Sequence, residues 1–310
     1  MPTIDLTTVA TRDDTRQQPL DAAPRRIGLT LRELQHAALL AGGAPLPFDV
    51  AEPAAAADAM QSRLGTSPAT TEDQSYRAVV AALHDPADAL ARRGLLVDGT
   101  LDAGLAGAIG LLAAPRTALD VDLRMAGIQA KVWHRHDDGA VASLATVDGI
   151  VFELGWFGVD AWAGELARVA AVSEDVVLGT SAVPSYVDLP FELADAAAEA
   201  TRVGRGDLLP VLAARHSGAV LGPDGVLPDD AVARVLTALA GEAQGRLRAL
   251  VADVSGASVD TVGVVSWSLL ADGWRALRPH QEDGVPRLEV RSAQPADLAS
   301  VVAPVLEGIR

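Results

Sequence analysis

One string in this chain carries metal-ligand chemistry, His134-Arg135-His136-Asp137-Asp138. Successive side chains of a strand alternate, so His134 and His136 at i and i+2 face one way, and Asp137 can add an oxygen ligand. That set would suit a metal-dependent hydrolase. A strand ending in a charged hairpin explains the same string without metal. A zinc hydrolase needs a further histidine in a recognisable context, and His36, His84, His216 and His280 lie in unrelated segments. Other chemistries have less support. No Gly-x-Ser-x-Gly elbow is present, and Lys131 has no serine three residues before it. Gly204-Arg205-Gly206 is too short for a dinucleotide fingerprint, and no Gly-x-x-x-x-Gly-Lys loop exists. The expectation is a protein that is not an enzyme and binds no cofactor or metal.

The element that must position the histidines belongs to a pattern that occurs twice. Residues 94–170 read as helix, strand, strand, Asp-Gly, strand, Asp-Gly, strand, helix, and residues 219–309 repeat that order. Val97-Asp98-Gly99-Thr100-Leu101-Asp102 matches the run from Gly222 to Asp229. Trp133 matches Trp267, Asp138-Gly139 matches Asp272-Gly273, and Asp148-Gly149 matches Asp283-Gly284. Trp162, Leu166 and Val169 match Leu298, Val302 and Val305. A repeat of this size predicts a pseudo-two-fold molecule. It also tests the metal string, since His134 and His136 correspond to Ser268 and Leu270. Only the Asp-Gly turn is kept.

Alternation at Leu119, Val121 and Leu123, then at Val132, His134 and His136, then at Val141 and Leu144, and from Ile150 to Leu154 predicts a four-strand meander. Its Asp-Gly breaks read as hairpin turns, because Gly supplies positive φ and Asp tolerates it. Ile27-Gly28-Leu29 reads as a short strand and Thr30 as the N-cap of a helix over 31–40. A helical region over roughly 53–92 is broken at His84-Asp85-Pro86. The second half opens at Tyr186-Val187-Asp188-Leu189-Pro190. Helices follow near 191–202, 206–215 and 228–241, then strands near 246–253, 261–270, 274–279 and 286–291, and a helix from Pro295. The expected organisation is a disordered tail over 1–24, a first half over 25–172 and a second half over 185–310, the two halves forming one domain. The fold class is α+β, with a central, largely antiparallel sheet, flanking helices and a pseudo-two-fold internal repeat.

Composition narrows the function classes. A net charge of −16 opposes nucleic-acid binding, where clustered Lys and Arg dominate affinity. Without cysteine there are no disulfides, thiolate metal sites or cysteine nucleophile. No apolar run is long enough for a membrane span, and Met1-Pro2-Thr3-Ile4-Asp5 does not read as a signal peptide. Aromatics are only 4% of the residues, so their placement is informative. Trp133 and Trp267 read as core, and Trp156-Phe157 as a pair at a strand-to-helix junction that either caps the core or forms a contact patch. Leu208, Leu209, Val211 and Leu212 form an apolar helical stretch, either core or a groove for a partner helix.

The run from Leu90 through Asp102, its alanine-rich helix and Leu119-Asp120-Val121-Asp122-Leu123-Arg124 resemble the EspG family, the cytoplasmic chaperones of type VII (ESX) secretion in actinobacteria. The Pro223-Asp224-Gly225 copy, Arg246 to Val251, and Val187-Asp188-Leu189-Pro190-Phe191-Glu192 carry the same resemblance, which covers about 25–310. It implies a quasi-two-fold α+β fold without catalysis. It also implies a partner, the helical tip of the PPE subunit in a PE–PPE heterodimer, with the chaperone itself a monomer or weak dimer. The contacts it implies map onto Met125, Ala126, Gly127, Ile128 and Gln129, a loop that is short here. They map also onto the helices holding Leu208, Leu209 and Leu212, and Val235 and Leu239.

Overall fold

The computed structural model describes residues 24–48, 85–256 and 259–307. The expected tail over 1–24, save residue 24, and the helical region up to residue 84 lie outside them. Eight α-helices and fourteen strands are described. The first series is β1 (Arg25–Thr30), α1 (Leu31–Leu40), α2 (Pro86–Arg92), β2 (Leu96–Val97), β3 (Thr100–Leu101), α3 (Ala103–Ala113), β4 (Thr117–Met125), β5 (Ile128–Asp137), β6 (Ala140–Thr146), β7 (Val151–Gly158) and α4 (Trp162–Val169). The second is β8 (Tyr186–Pro190), α5 (Phe191–Arg202), α6 (Leu209–Arg215), β9 (Leu221–Gly222), β10 (Gly225–Val226), α7 (Asp229–Gly241), β11 (Gly245–Asp253), β12 (Asp260–Leu270), β13 (Gly273–Glu282), β14 (Val285–Ala293) and α8 (Asp297–Glu307). The two series have the same order of elements. The fold is α+β, built on a large antiparallel sheet.

Two compact units divide the chain. The first holds residues up to Arg116 together with Trp133–Val159. In it β1 lies beside β7, β7 beside β6 and β6 beside β5. Its core gathers Leu29, Leu34, Leu90, Leu105, Ile109 and Leu144. Phe48 stacks on Phe152 with ring centroids 5.0 Å apart and tilts against Trp133 at 5.2 Å. Local signals explain the elements. Thr30 accepts from Glu33 N–H while the Glu33 carboxylate accepts from Thr30 N–H, a capping box that starts α1. Asp85 caps α2, and Pro86, which reads as a helix breaker, occupies its first turn, where its missing N–H costs nothing.

The second unit holds Thr117–Val132 and the chain from Asp160 onward. Its strand order is β4-β11-β12-β13-β14-β8-β9-β10. β4 and β11 are antiparallel and their midpoints, Val121 and Ala249, face each other. Helices α5, α6 and α7 gather over Val187, Leu189, Leu270 and Val290. Leu298 and Val302 of α8 and Trp162 and Leu166 of α4 are buried, and α8 packs against α4, β11 and β12. Alternation on β12 explains how both faces are covered, because Val265, Trp267 and Leu269 point one way and Leu270 the other.

The structure differs from the sequence reading in two places. β13 and β14 are longer than expected, because Asp283 (φ 50°) and Gly284 (φ 79°) close a two-residue turn that lets both strands run their full length. Trp156 and Phe157 lie within β7, not at a strand-to-helix junction. Phe157 is buried, and the Trp156 ring lies against α3 at Gly104 and under the Arg25 guanidinium, 5.2 Å from the ring centroid.

Candidate partner-binding site

The loop between β4 and β5 is a two-residue turn, Ala126-Gly127, with φ of 52° and 77°. Both central residues lie in the left-handed region, as a tight hairpin whose twist matches its strands requires. Gly accepts this freely, but Ala does so at roughly 1–2 kcal/mol. The tip is therefore a strained element held by its flanks. One flank is Met125, which pairs with Gly245 on β11. A Cβ at Gly245 would sit 2.7 Å from the Arg124 carbonyl oxygen, so glycine allows this close approach. On the other flank Gln129 Nε2 donates to Asp122 at 3.2 Å. The pinned turn presents Ile128 with 48% of its surface exposed. Gly127 is also exposed, while Met125 and Gln129 are half-buried.

The helices named at the sequence level split by face. Leu209 of α6 and Val235 of α7 are buried in the core, with Leu208, Leu212 and Leu239 packed against it. Leu209 and Val235 hold the helices on the sheet and offer a partner no surface. The exposed large apolar residue of α6 is Val211, with 65% of its surface exposed. The sequence groups Val211 with Leu209 and Leu212; at about 100° per residue Val211 lies about 160° from Leu209, on the side away from the core. The C-terminus of α7 reaches the hairpin's end of the sheet, because Gly241 precedes Gly245, the partner of Met125, by four residues.

A segment not singled out as a site also reaches that end. Gly179 N–H donates to the carbonyl of Ala271, in the turn between β12 and β13, and Glu242 accepts from Ala182 N–H at 2.8 Å. These bonds fix a loop on which Val177 and Leu178 are exposed. The sequence signal was weak, two apolar residues in a segment of turn composition.

The histidine string lies in β5, with His134 and Arg135 buried. His134 is 1% exposed and meets Phe157 edge-on at 6.4 Å. Arg135, also buried, donates from Nη1 to the His134 carbonyl at 3.0 Å. No cluster of three His, Asp or Glu side chains among the described residues is arranged to hold a metal. Burial holds the His136 imidazole below its ordinary value; Asp137 opposes this and the Arg116 guanidinium adds to it. Because the folded value is the lower one, the unfolded chain binds the proton first as pH falls. Stability is thus full above the unfolded value of about 6.5 and declines as pH drops from there through the folded value. His136→Gln should flatten this decline, read as thermal midpoints above and below that pH.

No protein-family model matches the chain, and no curated protein matches it. Among solved structures it is similar to the Mycobacterium tuberculosis type VII secretion system chaperone EspG5 in complex with the PE25-PPE41 dimer. The match covers 91% of this chain and 96% of that one, at a TM-score of 0.60 and 14% identity. The fold is that of EspG5. The EspG-like fold extends over nearly the whole of both chains, so it accounts for the sheet and the helices together.

Proposed function

We propose that this protein is a cytoplasmic secretion chaperone of the EspG type, not an enzyme, and that its two sequence halves act as one chaperone domain. It binds and shields the helical tip of a PE-PPE-like heterodimer without cofactor or metal. The observation that carries the reading is the EspG5 fold over 91% of the chain, in a structure where that chaperone holds a PE-PPE dimer. The surface supports it. A strained, pinned hairpin presents Ile128, and the outer face of α6 presents Val211, two apolar contacts of the kind that cover an aggregation-prone helix end. A charge of −16 favours solubility of the complex. No described helix is long and apolar enough to cross a membrane.

The contact set is Met125, Gly127, Ile128 and Gln129 at the hairpin and the outward faces of α6 and α7, with Leu209 and Val235 as supports beneath. The test is co-expression with a PE-PPE pair and capture on a tag carried by this chain. The pair is expected to co-purify, and Ile128→Asp should weaken capture by about tenfold, the effect of losing one half-buried aliphatic contact and placing a charge there. Equal capture by Ile128→Asp would remove the hairpin from the contact set. Failure of every pair to co-purify would remove the chaperone reading.

A further inference from the structure

Where β4, β11 and β12 lie side by side, one face is apolar and the other is charged. Val121, Ala249 and Val265 face one another on the buried side. The alternate residues form two rows on the opposite side, Asp122-Arg248-Ser266 and Arg124-Arg246-Ser268. Gln129 of β5 shares that side, since it bonds to Asp122, and Lys131, two residues on, shares it by alternation. Arg124, Lys131, Arg246 and Arg248 are exposed, whereas the acids of this side, Asp120 and Asp122, are half-buried.

The result is a basic island in a chain of net charge −16. Asp122 already accepts from Gln129, and none of the four cations makes an ion pair among the described residues. Arg124 and Arg246 are direct cross-strand partners, and like charges directly opposite destabilise a sheet. A stabilising role therefore does not explain them. The island has neighbours on two sides. Arg124 and Arg246 stand one residue from Met125 and Gly245 at the hairpin, and Leu277, opposite Ser266, packs beneath α5, α6 and α7. Arg246 and Arg248 are two residues apart on a strand, about 7 Å, and residues i and i+4 of a helix are about 6 Å apart along its axis. A few cations in a strongly acidic chain suit a short acidic segment better than a nucleic acid, whose affinity grows with the number of phosphates neutralised.

We propose that this face receives an acidic helix, with Asp or Glu at i and i+4 set against Arg246 and Arg248 and with Arg124 and Lys131 beside them. Under the chaperone reading that helix belongs to the tip of the client. The identity of the partner rests on that reading, while the charge preference is a property of this face alone.

Fluorescence anisotropy on the full chain tests the preference without a client. The probes are a labelled helical peptide carrying Glu at i and i+4 and its Gln counterpart. The Glu peptide is expected to bind at least about tenfold more tightly, with an affinity that falls as salt is added. Arg246→Glu combined with Arg248→Glu should abolish the difference. Arg92→Glu combined with Arg202→Glu changes the net charge equally, at exposed positions in the last turns of α2 and α5, and should preserve it. Relief of the Arg124–Arg246 opposition should keep the thermal midpoint of the first double variant at or above the wild-type value, which separates lost binding from lost fold. Equal binding of the two peptides by the wild type, or equal losses in the two double variants, would overturn the proposal. So would an oligonucleotide bound more tightly than the Glu peptide. Preference for the Glu peptide in a chain that co-purifies with no PE-PPE pair would remove the chaperone reading and uphold the acidic preference.

Discussion

Asp188→Ala is expected to lower folding stability by about 3 kcal/mol, read as the shift of the urea midpoint. Asp188 is 4% exposed and Arg287 8% exposed, with Nε 3.0 Å from Oδ1. Arg287 Nη2 also donates to the carbonyls of Asp188 and Ala219, and His280 Nε2 lies 3.2 Å from Asp188 Oδ2. Removing the carboxylate leaves a buried guanidinium with its charge partner gone, which costs more than the pair itself contributes. Glu282 still reaches Arg287 at 3.1 Å, which keeps the expected loss at the low end of the usual range. Asp188→Asn keeps a hydrogen-bond acceptor and should lose less. A shift under about 1 kcal/mol for Asp188→Ala would mean that the pair is solvated.

Trp267→Ala should cost about 3–5 kcal/mol, the usual loss for an aromatic deleted from a packed core. The side chain is 0% exposed and tilts against Trp274 with ring centroids 6.1 Å apart. Trp274 is itself tied by its Nε1 to the Ala170 carbonyl at 2.8 Å, so the neighbour that could fill the cavity is fixed. Trp267 Nε1 is buried without an acceptor among the described residues. Trp267→Phe therefore removes an unsatisfied donor along with some volume and should lose much less than Trp267→Ala. Similar losses for the two would place the energy in the indole N–H and not in the packing.

The elements of this fold were legible because each is set by local physics. Thr30 caps its helix, Asp138-Gly139 and Asp283-Gly284 close their hairpins, and α1 and α5 begin and end where their periodicity does. Burial was less legible. Leu209 and Val235 read as contacts because a helix apolar on one side looks the same whether that side meets a partner or a sheet. Val211, grouped with Leu209 in one apolar stretch, is exposed in the structure. The histidines were ambiguous for a related reason. Two of them at i and i+2 mark a face, but only the tertiary structure shows His134 packed against Phe157. The facing of Arg124 and Arg246 was not legible, because it joins strands from the two halves of the chain.

Hydrogen exchange on the chain with and without a bound PE-PPE-like heterodimer reads out the proposed contact. A complex is expected to form, and amide protection to rise at residues 125–129 and along α6 and α7, with no comparable change at β1. No complex with any such pair, or protection confined to other elements, would contradict it.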